Sequence, residues 1–191
     1  MLSVADKLAV KGLPMSVPPI TSMYMAEELD AGDMLLTSKM PIGEDETAGE
    51  LFERMSVLGA DVLSDTLNAI SEGKAVRLPQ DHSLATFAPP LRKDIRPIDW
   101  NDAAYKIKCK VRGLCPAPAA TAEIDGAVLK VFSVDIGDMS VTGKACGEIV
   151  SAGKHGIEIA CADGSVIIKE LQPPGGKRMP AEDYVRGRRL S

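Results

Sequence analysis

Five short runs of alternating apolar and polar residues, separated by turns, constrain the fold of this chain more than any other feature. The runs lie between residues 121 and 172 and read TAEIDG, AVLKVFSVDI, CGEIVSAG, HGIEIACADG and SVIIKELQ. Strands repeated at roughly 8 to 12 residues, with glycine turns between them, are typical of a small barrel or sandwich. The second half of the chain therefore predicts a compact all-β domain.

A helix is predicted immediately before these strands. Its apolar face has helical spacing and consists of Ala104, Ile107 and Val111. Asn101 or Asp102 is the expected N-cap of this helix, and Gly113 together with Pro116 is expected to end it. A short amphipathic turn, PAEDYVRGRRL, closes the sequence.

The first half of the chain follows a helical pattern instead. Thr47 and Glu50 form a T-x-x-E capping box, which is the signature of a helix N-terminus. Apolar residues then recur at helical spacing up to Gly73, and Gly59 is a position at which this helix would break in two. The other predicted elements are a helix over residues 3–11, strands over residues 20–25 and 34–40, and a proline-rich linker over residues 74–99.

Charge is distributed unevenly between the two halves. Residues 1–91 contain 6 Lys and Arg against 14 Asp and Glu, a balance of −8, whereas residues 92–191 contain 16 against 13, a balance of +3. The basic half is the candidate for binding a polyanion, and ordinary surface charge is the alternative explanation. Because few aromatic residues accompany the cations, contacts to the backbone of a structured nucleic acid are favoured over stacking of single-stranded bases. The candidate phosphate-binding residues are Lys106, Lys108, Lys110, Arg112, Lys177, Arg178, Arg186, Arg188 and Arg189.

The composition disfavours several classes of protein. No apolar run reaches the roughly 20 residues that span a bilayer, and the N-terminal residues lack the apolar stretch of a signal peptide. The four cysteines form no C-x-x-C pair and the two histidines, His82 and His155, lie far apart in sequence, so no zinc site is expected. We therefore expect a cytoplasmic protein with reduced thiols, no metal and no membrane partner. A monomer is expected as well, although composition does not determine it.

An acidic segment, AEELDAGDM at residues 26–34, lies between the two predicted strands. Its four carboxylates belong to Glu27, Glu28, Asp30 and Asp33. Composition alone leaves three interpretations open: a solvated turn, a metal site, and part of a catalytic centre. A metal site is the least favoured of the three, because the segment has no His or Cys and the flanking strands do not suit a carboxylate cage.

Five segments, in order along the chain, resemble methionyl-tRNA formyltransferases. They are ELDAGDMLL (28–36), LGADVLSDTL (58–67), PQDHSLATFAPPLRKDIRPIDWNDAA (79–104), VRGLCPAPAATAEIDGAVLKVF (111–132) and LQPPGGKRMPAEDYVRGRRL (171–190). The resemblance implies formyl transfer from the co-substrate 10-formyltetrahydrofolate to the amino group of methionyl initiator tRNA in translation initiation. It also implies an α/β fold class, in which a remnant of a Rossmann-like formyltransferase domain precedes a small OB-like barrel that helps to hold the tRNA.

The resemblance assigns domains and site residues as well. The implied parts are a divergent N-terminal segment (1–20), a partial catalytic domain (21–90), a linker (91–100) and an OB-like tRNA-binding domain (101–191). Asp30 occupies the position of the family's catalytic aspartate, which orients a histidine. The loop whose backbone lines the folate pocket corresponds to Ala26, Glu27, Glu28, Leu29 and Asp30.

The chain departs from the family where the chemistry is concentrated. It has no N-x-H-x-S-x-L-P segment, in which the family carries the Asn and His that stabilise the oxyanion and move protons. Glu28 replaces a Gly before Leu-Asp, and PAPA at residues 116–119 replaces P-W-P-G. We therefore expect this chain to be inactive alone, because residues that act as a unit contribute little singly. A non-catalytic tRNA-binding module and a gene-model fragment are the alternatives.

Overall fold

The computed structural model describes residues 19–88, 90–140 and 143–186 of the chain. The chain forms two compact units, an N-terminal unit up to Pro90 and a C-terminal unit from Leu91 onward, to which residues 47–49 also belong. The helix predicted over residues 3–11 lies outside the described residues. No helix in the described ranges is long and apolar enough to cross a membrane.

The N-terminal unit contains two strands and one long helix. Its elements are β1 (Pro19–Met23), β2 (Met34–Lys39) and α1 (Ala48–Ser71). The two strands and the long helix are confirmed to within about two residues, and α1 continues through Gly59 without a break. β1 and β2 pair antiparallel, unlike the parallel strands of a Rossmann-like sheet. The physical reason is the connection of ten residues between them, since a parallel crossover requires a dozen or more.

The N-terminal unit buries few of its side chains. Among its described residues, the buried hydrophobic side chains are those of Leu35 and Val62. The buried hydroxyl of Thr66 donates to the carbonyl of Val62 at 2.6 Å and lies 2.7 Å from the hydroxyl of Ser22, which joins α1 to β1. Phe52 on the same helix is 75% exposed. Among the described residues, this unit is therefore held together by hydrogen bonds and a few buried side chains rather than by a continuous hydrophobic core.

The C-terminal unit is built on one antiparallel sheet of six strands. The elements in chain order are α2 (Ala104–Leu114), β3 (Ala120–Ile124), β4 (Ala127–Ile136), β5 (Ile149–Gly153), β6 (Gly156–Cys161), β7 (Gly164–Gln172), β8 (Met179–Pro180) and α3 (Ala181–Val185). The strand order is β3-β4-β7-β6-β5, and β8 pairs with β7. The five predicted strands and the helix before them are confirmed. Alternation along β4 places Leu129 and Val131 inside while Val128 and Lys130 face outward.

One large buried cluster fills the interior of the C-terminal unit, and the described residues Cys115, Ala119 and Phe132 form a second, smaller one. The predicted apolar face of α2 is confirmed, because Ala104, Ile107 and Val111 are each 1% exposed or less. They pack with inward side chains of the sheet and with Tyr184 of α3. Burial of this continuous apolar surface is the main source of stability for the unit.

The predicted N-cap of α2 is wrong. The first helical residue, Ala104, donates its backbone N–H to the carboxylate of Asp163 at 2.7 Å, and neither Asn101 nor Asp102 caps the helix. Asp163 lies in the turn between β6 and β7, so a residue distant in sequence satisfies the N-terminal amide. The helix also continues through Gly113 to Leu114.

The sheet follows an open path in this structure. Within the described residues, no pairing joins β3 to β5. The outer edge of β3 is instead covered by the preceding segment: the N–H of Thr121 donates to the carbonyl of Arg96 at 2.8 Å, and the N–H of Ile98 donates to the carbonyl of Thr121 at 2.8 Å. What the structure supports is therefore a mixed α/β protein with a six-stranded sheet, and barrel closure stays a prediction.

Candidate nucleic-acid interface and acidic loop

The acidic segment between β1 and β2 is a surface loop with a defined backbone. The N–H of Tyr24 donates to the carbonyl of Asp33 at 3.0 Å, which closes the loop at its base. The side-chain amide of Gln80 donates to the carbonyls of Asp30 at 2.8 Å and Gly32 at 2.7 Å. Gly32 is required there, because a Cβ would lie 1.7 Å from the carbonyl oxygen of Tyr24.

One carboxylate of this loop has a structural role. Asp33 accepts a hydrogen bond from Arg77 at 2.9 Å, and the same guanidinium lies 4.5 Å from the centre of the Tyr24 ring. Two residues from opposite ends of the loop therefore meet one cation, which helps to fix the loop conformation. Asp33 immediately precedes β2, as expected for a turn residue at the start of that strand.

The other acidic side chains of the loop face water. Residues 26–30 are all exposed, and Leu29 is 97% exposed. The Asp30 carboxylate makes no hydrogen bond or ion pair with any described residue, and its backbone adopts a φ of 56°. Among the described residues, no cluster of His, Cys, Asp or Glu is arranged to hold a metal ion. Asp30 is thus presented openly, and the described part of the chain supplies no partner that would orient its carboxylate.

Several of the predicted phosphate-binding cations have carboxylate partners in this structure. The ammonium of Lys106 lies 2.6 Å from Asp102, and Arg186 lies 3.0 Å from Asp183. Lys110 donates to the carbonyl of Pro97. Exposed pairs of this kind contribute little to stability, but each reduces the net positive charge that a phosphate would meet. Arg188 and Arg189 lie outside the described residues.

Arg178 is held by both a carboxylate and an aromatic ring. Its guanidinium donates two hydrogen bonds of 2.6 Å to the carboxylate of Glu170 and lies 4.4 Å from the centre of the Phe132 ring. The hydrogen bond with Glu170 raises the pKa of Arg178 above its ordinary value. A bidentate pair stacked on an aromatic ring is a structural arrangement. The neighbouring Lys177 is exposed and forms no ion pair with a described residue.

A basic pocket on the C-terminal unit was missed by the sequence prediction. The cavity has a volume of about 290 Å³. Its lining residues are Lys93, Arg96, Thr121, Val128, Lys130, Gln172, Pro173, Pro174 and Gly175. Lys93 and Arg96 lie close together in the segment along β3, and Lys130 lies 34 residues beyond Arg96 on β4, so the strand register brings the third cation to the other two. The signal in the sequence was weak: Lys130 is one outward-facing cation within an alternating strand.

The class of this protein follows from a match to a family model. Residues 90–189, more than half of the chain, match the formyl transferase C-terminal domain. The chain therefore belongs to the formyl transferase family, and the matched region covers nearly all of its C-terminal unit.

Within this class, the chain is similar to curated methionyl-tRNA formyltransferases. The methionyl-tRNA formyltransferase of Citrifermentans bemidjiense is 45% identical over 171 residues, which cover 90% of this chain and 53% of the relative. The methionyl-tRNA formyltransferase of Ruminiclostridium cellulolyticum is 42% identical over 175 residues, covering 91% of this chain and 56% of the relative. The predicted resemblance is confirmed, and the chain spans about half the length of the curated relatives it matches.

Solved structures share the fold at low sequence identity. HypX from Aquifex aeolicus in complex with tetrahydrofolic acid has a TM-score of 0.72 at 20% identity, covering 96% of this chain and 32% of that protein. Methionyl-tRNA formyltransferase from Clostridium thermocellum has a TM-score of 0.53 at 19% identity, covering 69% of this chain and 55% of that protein. These similarities support the arrangement of helices and strands described above.

Proposed function

We propose that this chain serves methionyl-tRNA formyl transfer, the transfer of a formyl group from 10-formyltetrahydrofolate to the amino group of methionyl initiator tRNA. The observation that carries the proposal is the 45% identity to a methionyl-tRNA formyltransferase over 90% of this chain. The family match over residues 90–189 supports the same conclusion. The reaction belongs to translation initiation, for which a cytoplasmic location is proposed.

The C-terminal unit is proposed to hold the tRNA. Two observations support this proposal: the net charge of +3 over residues 92–191 and the basic pocket on the surface of the unit. Phosphate contacts supply most of the affinity of such interfaces, so the cations matter more than aromatic side chains. We propose that this unit folds as an OB-like barrel and that residues 101–191 form the domain. Its proposed partner is initiator tRNA, and the chain is proposed to act as a monomer.

The acidic loop is proposed to meet the folate co-substrate. Residues 26–30 are exposed, and Gln80 holds the backbone of this loop in one conformation, so the loop is suited to contact a ligand through its main chain. When bound, 10-formyltetrahydrofolate supplies the formyl group. Asp30 would orient a general base, but within the described residues its carboxylate has no histidine partner.

We propose that the chain by itself is inactive. Attack of an amine on a formyl carbon requires a base for the amine proton and donors for the developing oxyanion. The N-x-H-x-S-x-L-P pattern that carries both in the family does not occur in these 191 residues. A lone Asp30 cannot replace them, because such groups act as a unit.

A combined formylation and binding assay tests this proposal with the full chain. The chain is mixed with initiator tRNA and 10-formyltetrahydrofolate, and we expect tRNA retention without formyl transfer. Asp30→Asn is the matched control, and it should leave tRNA binding unchanged. Turnover near that of an intact enzyme would refute the proposed inactivity. Failure to retain tRNA at low salt would refute the proposed role of the C-terminal unit.

A gene-model fragment is the alternative to a tRNA-binding module. The observation that favours it is the exposure of apolar side chains on α1, among them Phe52 at 75% and Leu67 at 57%. Apolar stripes of this kind usually pack against further structure. Genomic DNA upstream of codon 20 discriminates the two: a neighbouring frame that encodes N-x-H-x-S-x-L-P favours the fragment, and its absence favours the module.

A further inference from the structure

We propose that the basic pocket on the C-terminal unit is a binding site for one phosphate group. This inference deepens the proposed function and depends on it only for the source of the phosphate, which would be RNA. The pocket is distinct from the cations predicted from the sequence, because Lys93, Arg96 and Lys130 are absent from that set.

Strand register aligns three polar residues of the pocket, Thr121, Lys130 and Gln172, in one row. Lys130 of β4 lies directly opposite Thr121 of β3 on one side and Gln172 of β7 on the other. Residues directly opposite each other in a sheet project from the same face. Arg96 lies on the far side of Thr121, to which it is joined by a backbone hydrogen bond of 2.8 Å. At about 4.8 Å between neighbouring strands, the backbones of Arg96 and Lys130 are roughly 10 Å apart, with the threonine between them.

The charge of the pocket is positive and is not neutralised by neighbours. Among the residues that the structure describes, no carboxylate lines the cavity. Among the described residues, Lys93, Arg96 and Lys130 form no ion pair, whereas Arg178 is paired with Glu170. Three unpaired cations around one cavity attract a group that carries one or two negative charges on several oxygens. Phosphate has that character, and both Arg and Lys bind it with charge-assisted hydrogen bonds.

The walls of the pocket are held in place before any ligand binds. The Nε of Arg96 donates to the carbonyl of Ala119 at 3.1 Å, which fixes the guanidinium plane and leaves the two terminal nitrogens for a ligand. On the opposite wall, Gln172 donates its side-chain amide to the carbonyl of Gly176 at 2.8 Å, and the N–H of Gly176 donates to the carbonyl of Pro173 at 3.0 Å. A site that is ordered in advance binds more tightly, because less conformational entropy is lost.

The cavity is large enough for a phosphate and part of the group that carries it. Its volume of about 290 Å³ exceeds that of a phosphate, whereas one water occupies about 30 Å³ of the liquid. Val128 and the two prolines add an apolar wall against which a ribose or another small group would pack. The phosphodiester of RNA and the phosphomonoester of a small molecule share this chemistry.

The direct test titrates the full chain with inorganic phosphate and follows binding by calorimetry or phosphorus NMR. We expect saturable binding in the millimolar range, about 4 kcal/mol of affinity. Lys130→Gln and Arg96→Lys should each weaken it about fivefold or more, because each alters a phosphate contact. The matched control is Lys154→Gln, an exposed lysine in the turn between β5 and β6, which should change affinity by less than about twofold. Thermal melting of each variant verifies that it is folded.

Competition with tRNA identifies the source of the phosphate. If RNA is the source, tRNA displaces phosphate, and Lys130→Gln lowers the slope of log affinity against log salt by about one. If the chain binds phosphate through these residues but binds no tRNA, the pocket stands with a small phosphomonoester as its ligand, and the proposed function fails. The pocket proposal is overturned, and the proposed function stands, if tRNA binds but inorganic phosphate shows no saturable binding. The same conclusion follows if tRNA binds and Lys154→Gln weakens phosphate binding as much as Lys130→Gln does.

Discussion

The two units of this protein differ in how they use apolar residues. In the C-terminal unit, Leu129 and Ile168 are fully buried in a continuous cluster. In the N-terminal unit, Leu63 is 54% exposed although it lies on a helix of 24 residues with helical apolar spacing. A strong helical pattern therefore predicts a helix but does not predict which residues cover its apolar face. The units also differ in charge, since acidic residues dominate the first half and basic residues the second.

The largest effect is expected for a core substitution in the C-terminal unit, and it tests whether that unit provides most of the free energy of unfolding. Ile168→Ala should lower the free energy of unfolding by about 3 kcal/mol, because it leaves a cavity in the core. The paired variant Leu63→Ala should change it by about 0.5 kcal/mol or less, because that side chain is already half in water. Urea unfolding, followed by Trp100 fluorescence and by circular dichroism, measures both. Equal losses for the two variants would show that the N-terminal unit has a core of its own.

A second pair of variants compares the roles of two neighbouring cations, Arg178 and Lys177. Arg178→Gln should cost about 1 kcal/mol of stability, because it removes the pair with Glu170 and the contact with Phe132, and should leave the affinity for tRNA nearly unchanged. Lys177→Gln should leave stability nearly unchanged and weaken tRNA binding. Thermal melting and fluorescence anisotropy measure the two properties. A loss of tRNA affinity confined to Arg178→Gln would reverse the assignment.

A third pair tests how α2 is anchored to the sheet. Asp163→Ala should destabilise the protein by about 1 kcal/mol, because the N–H of Ala104 loses its acceptor. Asp102→Ala should cost about 0.5 kcal/mol or less, since it removes only an exposed pair with Lys106. Chemical denaturation of both variants is the measurement. The opposite ranking would restore the cap predicted from the sequence.

The smallest effect concerns acid stability of the C-terminal unit. The hydrogen bond from the buried hydroxyl of Ser165, at 2.7 Å, lowers the pKa of Glu158 below its ordinary value of 4.5. A lowered folded-state pKa contributes stability above pH 4.5 that is lost as the pH falls through the folded pKa. We expect this contribution to be about 1 kcal/mol or less. Unfolding of Glu158→Gln across pH 3 to 7 should show a weaker acid dependence than the parent chain, and an unchanged profile would exclude the effect.

The sequence predicted local structure well and long-range partnerships poorly. β4 spans residues 127–136, as its alternation predicted, because alternation along one strand is a local property. The cap of α2 was missed because its acceptor, Asp163, lies 59 residues away from Ala104 in the chain. The basic pocket was missed for the same reason, since it depends on the pairing of Thr121 and Gln172 with Lys130. The resemblance predicted the family and the catalytic position of Asp30. The side chains around Asp30 could be described only from the structure.

Hydrogen–deuterium exchange with and without initiator tRNA shows which unit binds the RNA, because one experiment reports on the backbone amides of both units. If the basic C-terminal unit holds the tRNA, bound RNA should slow exchange in the segments around Arg96, Lys130 and Gln172, and the slowing should fade as salt is raised. Exchange in the acidic loop at residues 26–34 and along α1 should stay the same. Protection confined to the N-terminal unit, or no protection anywhere at low salt, would contradict the account.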